Sequence, residues 1–467
     1  MRVIVIGGGI TGLSAAYRLF ELSSIQNQKI EIILLEKQNR IGGTIRTEHI
    51  DGFLIENGPD SFITTKPWAL NLCRRIGLES ELIETNTHNR NTFVVLQGKL
   101  QPIPEGFFVL APTRLIPFLK SPLFSWKGKL RILMELFIPG ETKDDETLAS
   151  FTIRRFGREA LERVVQPLIG SIYMANPENI SLRATLPHLL EMERKHRSLI
   201  RAMRKEQGRD KQNQSGARYS LFVSLLNGMQ TLPERLASLL PKDTIKLNHS
   251  VEGIIRENGL WTITTHRGNR FFADGLIITT PAYITASLLK GLDPDLSKDL
   301  SKIHYNSSVV VNLAYRREDI SHPLNGFGFV VPATEKRNIV ACSFSSIKFQ
   351  GRAPKGNIVL RCFLGGSIQP KACEWDDSKI IETTHRELSE LLHIKNKPLV
   401  ICVYRHINSM PLYGVGHTEL INRIKERVKT HRGLALAGSA YEGVGMPDCI
   451  HSGELAAESI ASGILNQ

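Results

Sequence analysis

The sequence predicts an α/β protein, α+β over its full length, which combines a discontinuous parallel-sheet domain with a mixed-sheet domain and a helical insertion. Three observations lead to this prediction: a glycine-rich turn between an apolar run and a helix near the N-terminus, a late group of alternating strands, and a strand-turn-helix motif near the C-terminus. At 467 residues the chain exceeds the usual limit of a single hydrophobic core. We therefore expect two or more packed units.

The first motif is the turn that follows the apolar run 3–6. Its three glycines stand in GxGxxG spacing, which permits positive φ, lets a diphosphate approach the backbone and lets the helix pack on the strand. The N–H groups at the helix N-terminus would face the phosphates. The sequence thus predicts a Rossmann-like dinucleotide site. Its predicted contacts are Gly7, Gly9, Ile10, Thr11 and Gly12.

An acidic residue is expected at the end of the second strand. The run 30–35 is apolar and rich in β-branched residues, and Glu36 closes it, followed by Lys37. A carboxylate at this place accepts the adenosine ribose hydroxyls and disfavours a 2′-phosphate. The alternative is an ordinary α/β turn with a solvated glutamate.

A second glycine pair distinguishes FAD from a nicotinamide cofactor. Gly42, Gly43 and Thr44 lie between Arg40 and Arg46, which places bare backbone and positive charge beside a second stretch of pyrophosphate. FAD enzymes need such a segment and nicotinamide enzymes do not. We predict one non-covalently bound FAD per chain.

Composition and residue patterns predict the cellular location of the protein and the state of its cysteines. It contains no run of eighteen apolar residues and starts directly with the nucleotide-binding strand, so we expect no signal segment and a cytoplasmic protein. The six cysteines lack CxxC pairing and the fourteen histidines lack HExxH spacing. We predict reduced, buried thiols and no metal.

The net charge of +13 admits nucleic acid, anionic lipid or an acidic small molecule as partner. Much of the excess lies in the segment 194–218, which has no interleaved aromatic residues for base stacking. We therefore expect no nucleic acid. The segment is interpreted either as a solvated helix that runs into a loop or as a peripheral membrane contact.

The late strands make the first domain discontinuous. The runs 251–255 and 261–265 predict a β-meander, and the run 275–280 predicts a return to the parallel sheet. Val251 opens the meander, and similarity to related FAD proteins implies that its backbone pairs with the adenine. The predicted domains are an FAD-binding domain at 1–65, 219–290 and 415–467, a substrate-binding domain at 66–92 and 291–414, and a mainly helical insertion at 93–218.

The insertion carries helical patterns, among them 185–203, and an apolar stretch at 107–126 that Pro112, Pro117 and Pro122 interrupt. That stretch is interpreted as core, or as a substrate entrance or lipid-facing lip.

The last motif is the apolar strand 434–440, followed by a glycine-containing turn into the final helix. A helix N-terminus there would stabilise the reduced isoalloxazine. For Tyr441 and Met446 the alternative is packing around the final helix. The predicted flavin contacts are Gly438, Tyr441, Gly443, Val444, Gly445 and Met446.

The chain resembles the porphyrinogen oxidases of haem biosynthesis, within the glycine-pair flavoproteins that include amine oxidases and phytoene desaturases. The forms of segments 195–200 and 409–417 look most like the Gram-positive branch, which oxidises coproporphyrinogen III. The animal and plant branch oxidises protoporphyrinogen IX. The matching segments are 56–62, 166–173, 180–185, 195–200 and 441–450.

The resemblance implies a six-electron oxidation of coproporphyrinogen III to coproporphyrin III, with FAD as cofactor, molecular oxygen as acceptor and release of hydrogen peroxide. It leaves protoporphyrinogen IX as the alternative substrate, and an amine oxidase or desaturase, or a non-catalytic FAD-binding scaffold, as alternative functions. No catalytic base is identified. Expected partners are the porphyrinogen, oxygen, the inner face of the membrane through weak peripheral contact, and the next haem-pathway enzyme through transient contact.

The resemblance also assigns site residues. Lys66 matches a position that faces the cavity and would bind a propionate, against the alternative of a solvated lysine. Ile172 matches a pocket wall, against the alternative of a core residue. Thr92 stands where the protoporphyrinogen branch often has a basic anchor, which favours the coproporphyrinogen assignment. Further cofactor contacts are expected at Gly58, Pro59, Asp60 and Ser61.

Overall fold

A five-stranded parallel sheet forms the centre of the first domain. The computed structural model describes residues 1–25, 29–88, 90–108, 111–141, 143–205 and 221–465. The return strand pairs with the N-terminal strand, with Ile4 opposite Leu276, although the two lie far apart in sequence. The predicted discontinuous parallel sheet is therefore confirmed. In spatial order its strands are Ile245–Lys246, Glu31–Leu35, Arg2–Ile6, Gly275–Ile278 and Leu434–Leu436.

The N-terminal strand is buried on both faces, as a parallel strand between two layers must be. Val3 and Val5 pack against the first helix (Ile10–Ile25) and the final helix (Met446–Leu465). Ile4 and Ile6 face the opposite layer, which contains the predicted meander. The meander strands are Val251–Glu257, Leu260–Thr265 and Arg270–Ala273.

The first and final helices lie in close contact. A Cβ on Gly453 would overlap the carbonyl oxygen of Thr11, so this glycine allows the two backbones to approach. Each helix begins after the carboxyl end of a strand of the parallel sheet. Since the carboxyl ends of parallel strands share one edge, both helix N-termini point to the same edge, where ligands bind in open α/β sheets.

A seven-stranded mixed sheet forms the centre of the second domain, in agreement with the mixed-sheet domain that the sequence predicts. The long helix Asp377–Leu392 covers it through Ile380 and Leu388. One pair of strands, Gly326–Val330 with Asn91–Leu96, is parallel and the other pairs are antiparallel. The spatial order is Val400–Pro411, Tyr305–Arg316, Asn357–Gly365, Ala341–Phe344, Gly326–Val330, Asn91–Leu96 and Lys99–Pro102.

The described part of the predicted insertion 93–218 is mainly helical from Leu115 onward, but its first residues belong to the strands Asn91–Leu96 and Lys99–Pro102 of the mixed sheet. The predicted boundary at residue 93 therefore cuts through a strand, because this strand pairs with Gly326–Val330 far along the chain.

The predicted helix 185–203 is interrupted. Pro187 begins a helix that ends at His196, and Arg197 has a positive φ of 61°. The helix Gln166–Tyr173 follows directly on a π-helical segment, Leu161–Val165, a feature that often marks functional sites. Other helices of the insertion are Leu115–Lys120, Trp126–Leu133, Leu148–Phe156, Arg158–Ala160 and Leu182–Thr185.

Smaller elements complete the described part of the chain. The helices outside the insertion are Trp68–Arg75, Thr231–Leu239, Ala282–Leu289, Pro294–Leu300, Ser345–Lys348 and His417–Lys429. The remaining strands are Thr47–Ile50, Phe53–Glu56, Phe62–Ile63, Leu82–Glu84, Phe107–Phe108, Ala111–Pro112 and Phe222–Leu225. Among the described residues, none of the helices has the length and apolar character needed to cross a membrane.

The cysteines are free thiols, and four of the six are buried as predicted; Cys373 and Cys402 are half-buried. Within the described ranges, no group of three histidine, cysteine, aspartate or glutamate side chains is arranged to hold a metal ion.

A buried ionic network organises the insertion. The side chains of Arg155 and Glu135 are fully buried and paired with each other. Glu135 also accepts hydrogen bonds from the Ser198 hydroxyl at 2.7 Å and from the Leu199 N–H at 2.8 Å. The guanidinium of Arg155 donates to the Arg197 carbonyl at 2.6 Å. The sequence motif 195–200 thus forms the turn that encloses this pair.

Candidate functional site

The two glycine segments meet at the N-terminus of the first helix. The Gly42 N–H donates to the Gly8 carbonyl at 2.8 Å. A Cβ on Gly43 would lie 3.1 Å from the Gly9 Cα, and one on Gly12 would lie 1.9 Å from the Gly7 carbonyl oxygen. The segments therefore form one surface of bare backbone beside the positive end of a helix.

Glu36 is buried beside this surface, so the alternative of a solvated glutamate is wrong. Its Oε2 accepts the Gly8 N–H at 2.6 Å, and its Oε1 accepts the Gln38 N–H at 2.8 Å. Gly8 was not among the predicted contacts, yet a Cβ there would lie 2.9 Å from the Cβ of Glu36. In the sequence, the role of Gly8 is indicated by the unbroken run of three glycines at 7–9. The ribose contact of Glu36 remains a prediction.

These residues fit the diphosphate and ribose of FAD, because a cradle that side chains would fill is left open and faces a helix N-terminus. Arg40 lines it and donates to the carbonyls of Ile41 and Ile45, each at 3.0 Å. Lys37 and Thr44 are exposed nearby. The remaining predicted turn contacts, Ile10 and Thr11, stand in the first turn of the helix.

The final helix begins at the other end of the site. The N–H of Gly443, which has a φ of 147°, donates to the Tyr413 hydroxyl at 2.8 Å, and Gly438 donates to Ser452 at 2.8 Å. The side chains of Tyr441 and Met446 are buried in apolar clusters. Flavin contact by Gly438, Tyr441, Gly443, Val444, Gly445, Met446 and, at the meander, Val251 stays a prediction.

Asp60 lies in a charged cluster that the sequence did not reveal. Lys348 Nζ is 3.1 Å from its Oδ2, and Arg361 Nη1 is 3.7 Å from its Oδ1. Burial alone would raise the pKa of Asp60, but the two cations and the Ser61 hydroxyl hold it well below its usual range. Arg361 also donates to the Gly58 carbonyl. The cluster therefore fixes the segment of Gly58, Pro59, Asp60 and Ser61.

Lys66 has a definite partner. Its ammonium lies 2.6 Å from Oδ1 and 2.8 Å from Oδ2 of Asp448, in the first turn of the final helix. The lysine is therefore an ion-paired residue beside the predicted flavin site, and a propionate contact remains a prediction.

The other two predicted substrate residues lie on different elements. Ile172 is 59% exposed on the helix Gln166–Tyr173, so the alternative of a core isoleucine is wrong. The residue after that helix is Met174, whose carbonyl accepts hydrogen bonds from the Asn306 amide and the Ser367 N–H, each at 3.0 Å. These bonds fix the end of the helix to the mixed sheet. Thr92 is half-buried in that same sheet.

The apolar stretch of the insertion divides between core and surface. Phe118 and Phe124 are buried, with ring centroids 5.5 Å apart, whereas Trp126 is 74% exposed. Leu110 and residues 206–218 of the basic segment lie outside the described residues. Trp126 begins an exposed stripe at helical spacing, hereafter the apolar face. Its members are Trp126, Leu130, Met134 and Phe137.

His417 begins a helix behind the glycine turn of the C-terminal motif. It is buried, and its ring stacks on Tyr413 with centroids 4.0 Å apart. Its Nε2 lies 3.4 Å from the Tyr441 carbonyl. Burial lowers the pKa of His417 from 6.5 to about 4. The folded protein therefore holds this histidine in its neutral form.

This histidine predicts a loss of stability in acid. Between pH 6.5 and pH 4 the unfolded chain binds a proton that the folded chain does not, so the free energy of unfolding falls as the pH falls. The contribution is complete above pH 6.5 and amounts to about 3 kcal/mol. Urea titrations should show a shallower pH dependence for His417→Gln across this interval. An unchanged slope would contradict the assignment.

Comparison with known proteins gives consistent matches over nearly the full chain. The sequence pattern of the flavin containing amine oxidoreductases matches residues 10–461. A coproporphyrinogen III oxidase of Bacillus subtilis (strain 168) is 34% identical, over 97% of each chain. A protoporphyrinogen oxidase of Homo sapiens is 30% identical, over 98% of each chain. The crystal structure of a protein from Exiguobacterium sp. 255-15 superposes with a TM-score of 0.88 and 31% identity, covering 100% of this chain and 99% of that one.

Proposed function

The chain belongs to the flavin containing amine oxidoreductase family, and from this premise we propose that it is an FAD-dependent porphyrinogen oxidase of haem biosynthesis that acts on coproporphyrinogen III. The observation that carries the proposal is the full-length similarity to a coproporphyrinogen III oxidase. The glycine cradle at the N-terminus of the first helix supports it independently, because that cradle fits the cofactor the reaction needs.

The geometry supports the following assignment of the residues that would hold FAD. The bare backbone of Gly9 and Gly43 and the N-terminus of the first helix receive the diphosphate. Glu36 would accept the ribose hydroxyls, as its burial beside the glycine cradle supports. The N–H groups at the start of the final helix would face the ring of the bound cofactor and favour negative charge there. We assign this cofactor to the discontinuous domain at 1–65, 219–290 and 415–467.

The bound flavin supplies a two-electron acceptor, and three rounds with molecular oxygen account for the six electrons and for the hydrogen peroxide released. The chain itself orients the substrate. The carboxylates of the substrate require cations, and Lys66 lies beside the predicted flavin site, where it contacts Asp448. Ile172 offers an apolar wall, and Thr92 leaves the position of a basic anchor neutral. No side-chain base is assigned, so the protons that accompany each hydride transfer leave to water.

The decisive experiment compares two porphyrinogens in one preparation. Anaerobic addition of coproporphyrinogen III should bleach the flavin absorbance, and admission of oxygen should yield fluorescent porphyrin and peroxide. A higher kcat/KM for the tetracarboxylate than for protoporphyrinogen IX is expected. A preference for protoporphyrinogen IX would instead support the function of the human relative. Bleaching by an amine but by neither porphyrinogen would support an amine oxidase. If neither the amine nor either porphyrinogen bleached the flavin, a non-catalytic binding scaffold would be supported.

We also propose weak peripheral contact of the protein with the inner face of the cytoplasmic membrane. The product would pass to the next enzyme of the pathway near this surface. The apolar face supports this membrane contact. Its four large apolar side chains lie on one side of the helix Trp126–Leu133 and of the 3-10 turn Met134–Phe137 that follows it, and Phe137 is 83% exposed. Lys120 and Lys127 are exposed close to it in sequence. Apolar insertion flanked by cations is the pattern of interfacial helices.

Sedimentation with anionic vesicles tests this contact. The wild-type protein is expected to co-sediment at low salt, and the variant Trp126→Ser/Phe137→Ser to lose most of the bound fraction. The matched control is Ile255→Ser/Phe272→Ser, which removes two exposed apolar side chains from the meander. Equal losses in both variants, or no wild-type binding, would contradict the membrane contact.

A further inference from the structure

Asp448 is an acidic residue at the predicted flavin end of the site for which the reaction provides no role. Its side chain is only 11% exposed, whereas that of its partner Lys66 is 45% exposed. Both carboxylate oxygens contact the same ammonium, at 2.6 and 2.8 Å. The pair therefore has a sheltered acidic end and an accessible basic end.

The glycines of the C-terminal turn make room for this carboxylate. A Cβ on Gly445 would lie 3.0 Å from Asp448 Oδ2, and a Cβ on Gly443 would overlap the Asp448 side chain. The helix that carries Ile172 borders the same place. There Tyr173 has its pKa raised to about 12 by burial and, to a smaller extent, by the charge of Asp448. Asp448 thus lies where the insertion, the glycine turn and the Lys66 segment meet.

The Lys66 segment does not depend on the ion pair for its position. Two residues further on, the Trp68 ring stacks on His451 of the final helix, with centroids 4.1 Å apart and an interplanar angle of 5°. This stack fixes the segment to the helix independently. Lys66 can therefore exchange its partner without the segment moving away.

An ammonium group has three N–H donors, and the Lys66 ammonium already contacts both carboxylate oxygens of Asp448. A carboxylate that approaches Lys66 meets a pair whose net charge is near zero, and it must compete with an acceptor already in place. We propose that Asp448 is a positioning residue that competes with a substrate carboxylate for Lys66 and so limits the affinity of the site for the tetracarboxylate. This inference rests on the proposed function. It assigns to Asp448 the control of substrate and product retention.

Product binding to the holoenzyme tests the inference. Fluorescence titration with coproporphyrin III should show that D448N binds about fivefold more tightly than the wild type, the range that a partly exposed ion pair spans. The tetramethyl ester, which lacks the carboxylates, should bind wild type and D448N equally. The matched control is E442Q, which removes one negative charge from the neighbouring turn, where Glu442 pairs with Lys425. E442Q is expected to bind like the wild type.

The dependence on Lys66 completes the test. In the K66M background, D448N should produce no gain in affinity. A gain that persists without Lys66, an equal gain in E442Q, or weaker or unchanged binding in D448N would each overturn the proposal. D448S carries the same expectation if D448N fails to retain FAD. Failure of the proposed function is distinguishable, because the wild type would then neither bind coproporphyrin III nor turn over its porphyrinogen.

Discussion

Replacing Gly12 by alanine is expected to abolish FAD binding at micromolar cofactor. The new Cβ would lie 1.9 Å from the Gly7 carbonyl oxygen and 2.9 Å from the Thr279 hydroxyl oxygen, and the first of these is backbone that cannot rotate away. The turn and the N-terminus of the first helix must therefore separate. That movement removes the N–H groups that receive the diphosphate. We expect affinity for FAD to fall by about 100-fold or more.

The measurement is the ratio of flavin to protein absorbance after purification, followed by titration of the apoprotein with FAD. Gly291→Ala is the control, because no described atom lies within 4 Å of a Cβ at that position and its φ is not positive. It should retain the full flavin content. Normal flavin content in Gly12→Ala would show that the diphosphate does not bind at this turn.

The parts of the site that sequence predicted well are local. The turn around Gly12 is fixed by residues within one strand and one helix, and the run that ends at Glu36 is similarly short. The glycine spacing therefore predicts this turn without knowledge of the rest of the fold. The return of the chain to the parallel sheet at Gly275–Ile278 was also predictable, since an apolar strand after a meander has few other places to pair.

The charged cluster under Asp60 was not predictable in this way. Arg361 and Lys348 approach that carboxylate from elements about 300 residues later in the chain, a long strand and a short helix that follows its neighbour in the sheet. One signal was present: Arg361 stands between Leu360 and Cys362 in an apolar strand, and a buried arginine requires a partner. Its partner could not be named without the fold.

The interruption of the predicted helix 185–203 has the same origin. Periodicity favours one continuous helix there, and Arg197 is an ordinary helix former. Its carbonyl is instead taken by Arg155, while Ser198 and Leu199 donate to Glu135. A tertiary interaction therefore overrides the local preference. The same contacts give the 195–200 motif a structural explanation.

This network yields the second large prediction. Arg155→Met should lower the free energy of opening of the insertion by about 3–5 kcal/mol, because it leaves the fully buried Glu135 carboxylate without its cation. The Ser198 and Leu199 hydrogen bonds cannot replace a full charge. Hydrogen exchange of the amides in the helix Leu148–Phe156 measures this opening directly, which avoids assuming a single unfolding transition for a chain of several units.

The matched control is Arg158→Met, in the next helix, where Arg158 forms an exposed pair with Glu162 at 3.8 Å. Loss of that pair should change the opening free energy by less than about 1 kcal/mol. The double variant Arg155→Met/Glu135→Leu should recover part of the loss, since replacing a whole buried pair by apolar side chains costs less than leaving one charge unpaired. If Arg155→Met and Arg158→Met behaved alike, the buried pair would contribute no more than a surface contact, and its place at the centre of the insertion would have to follow from packing alone.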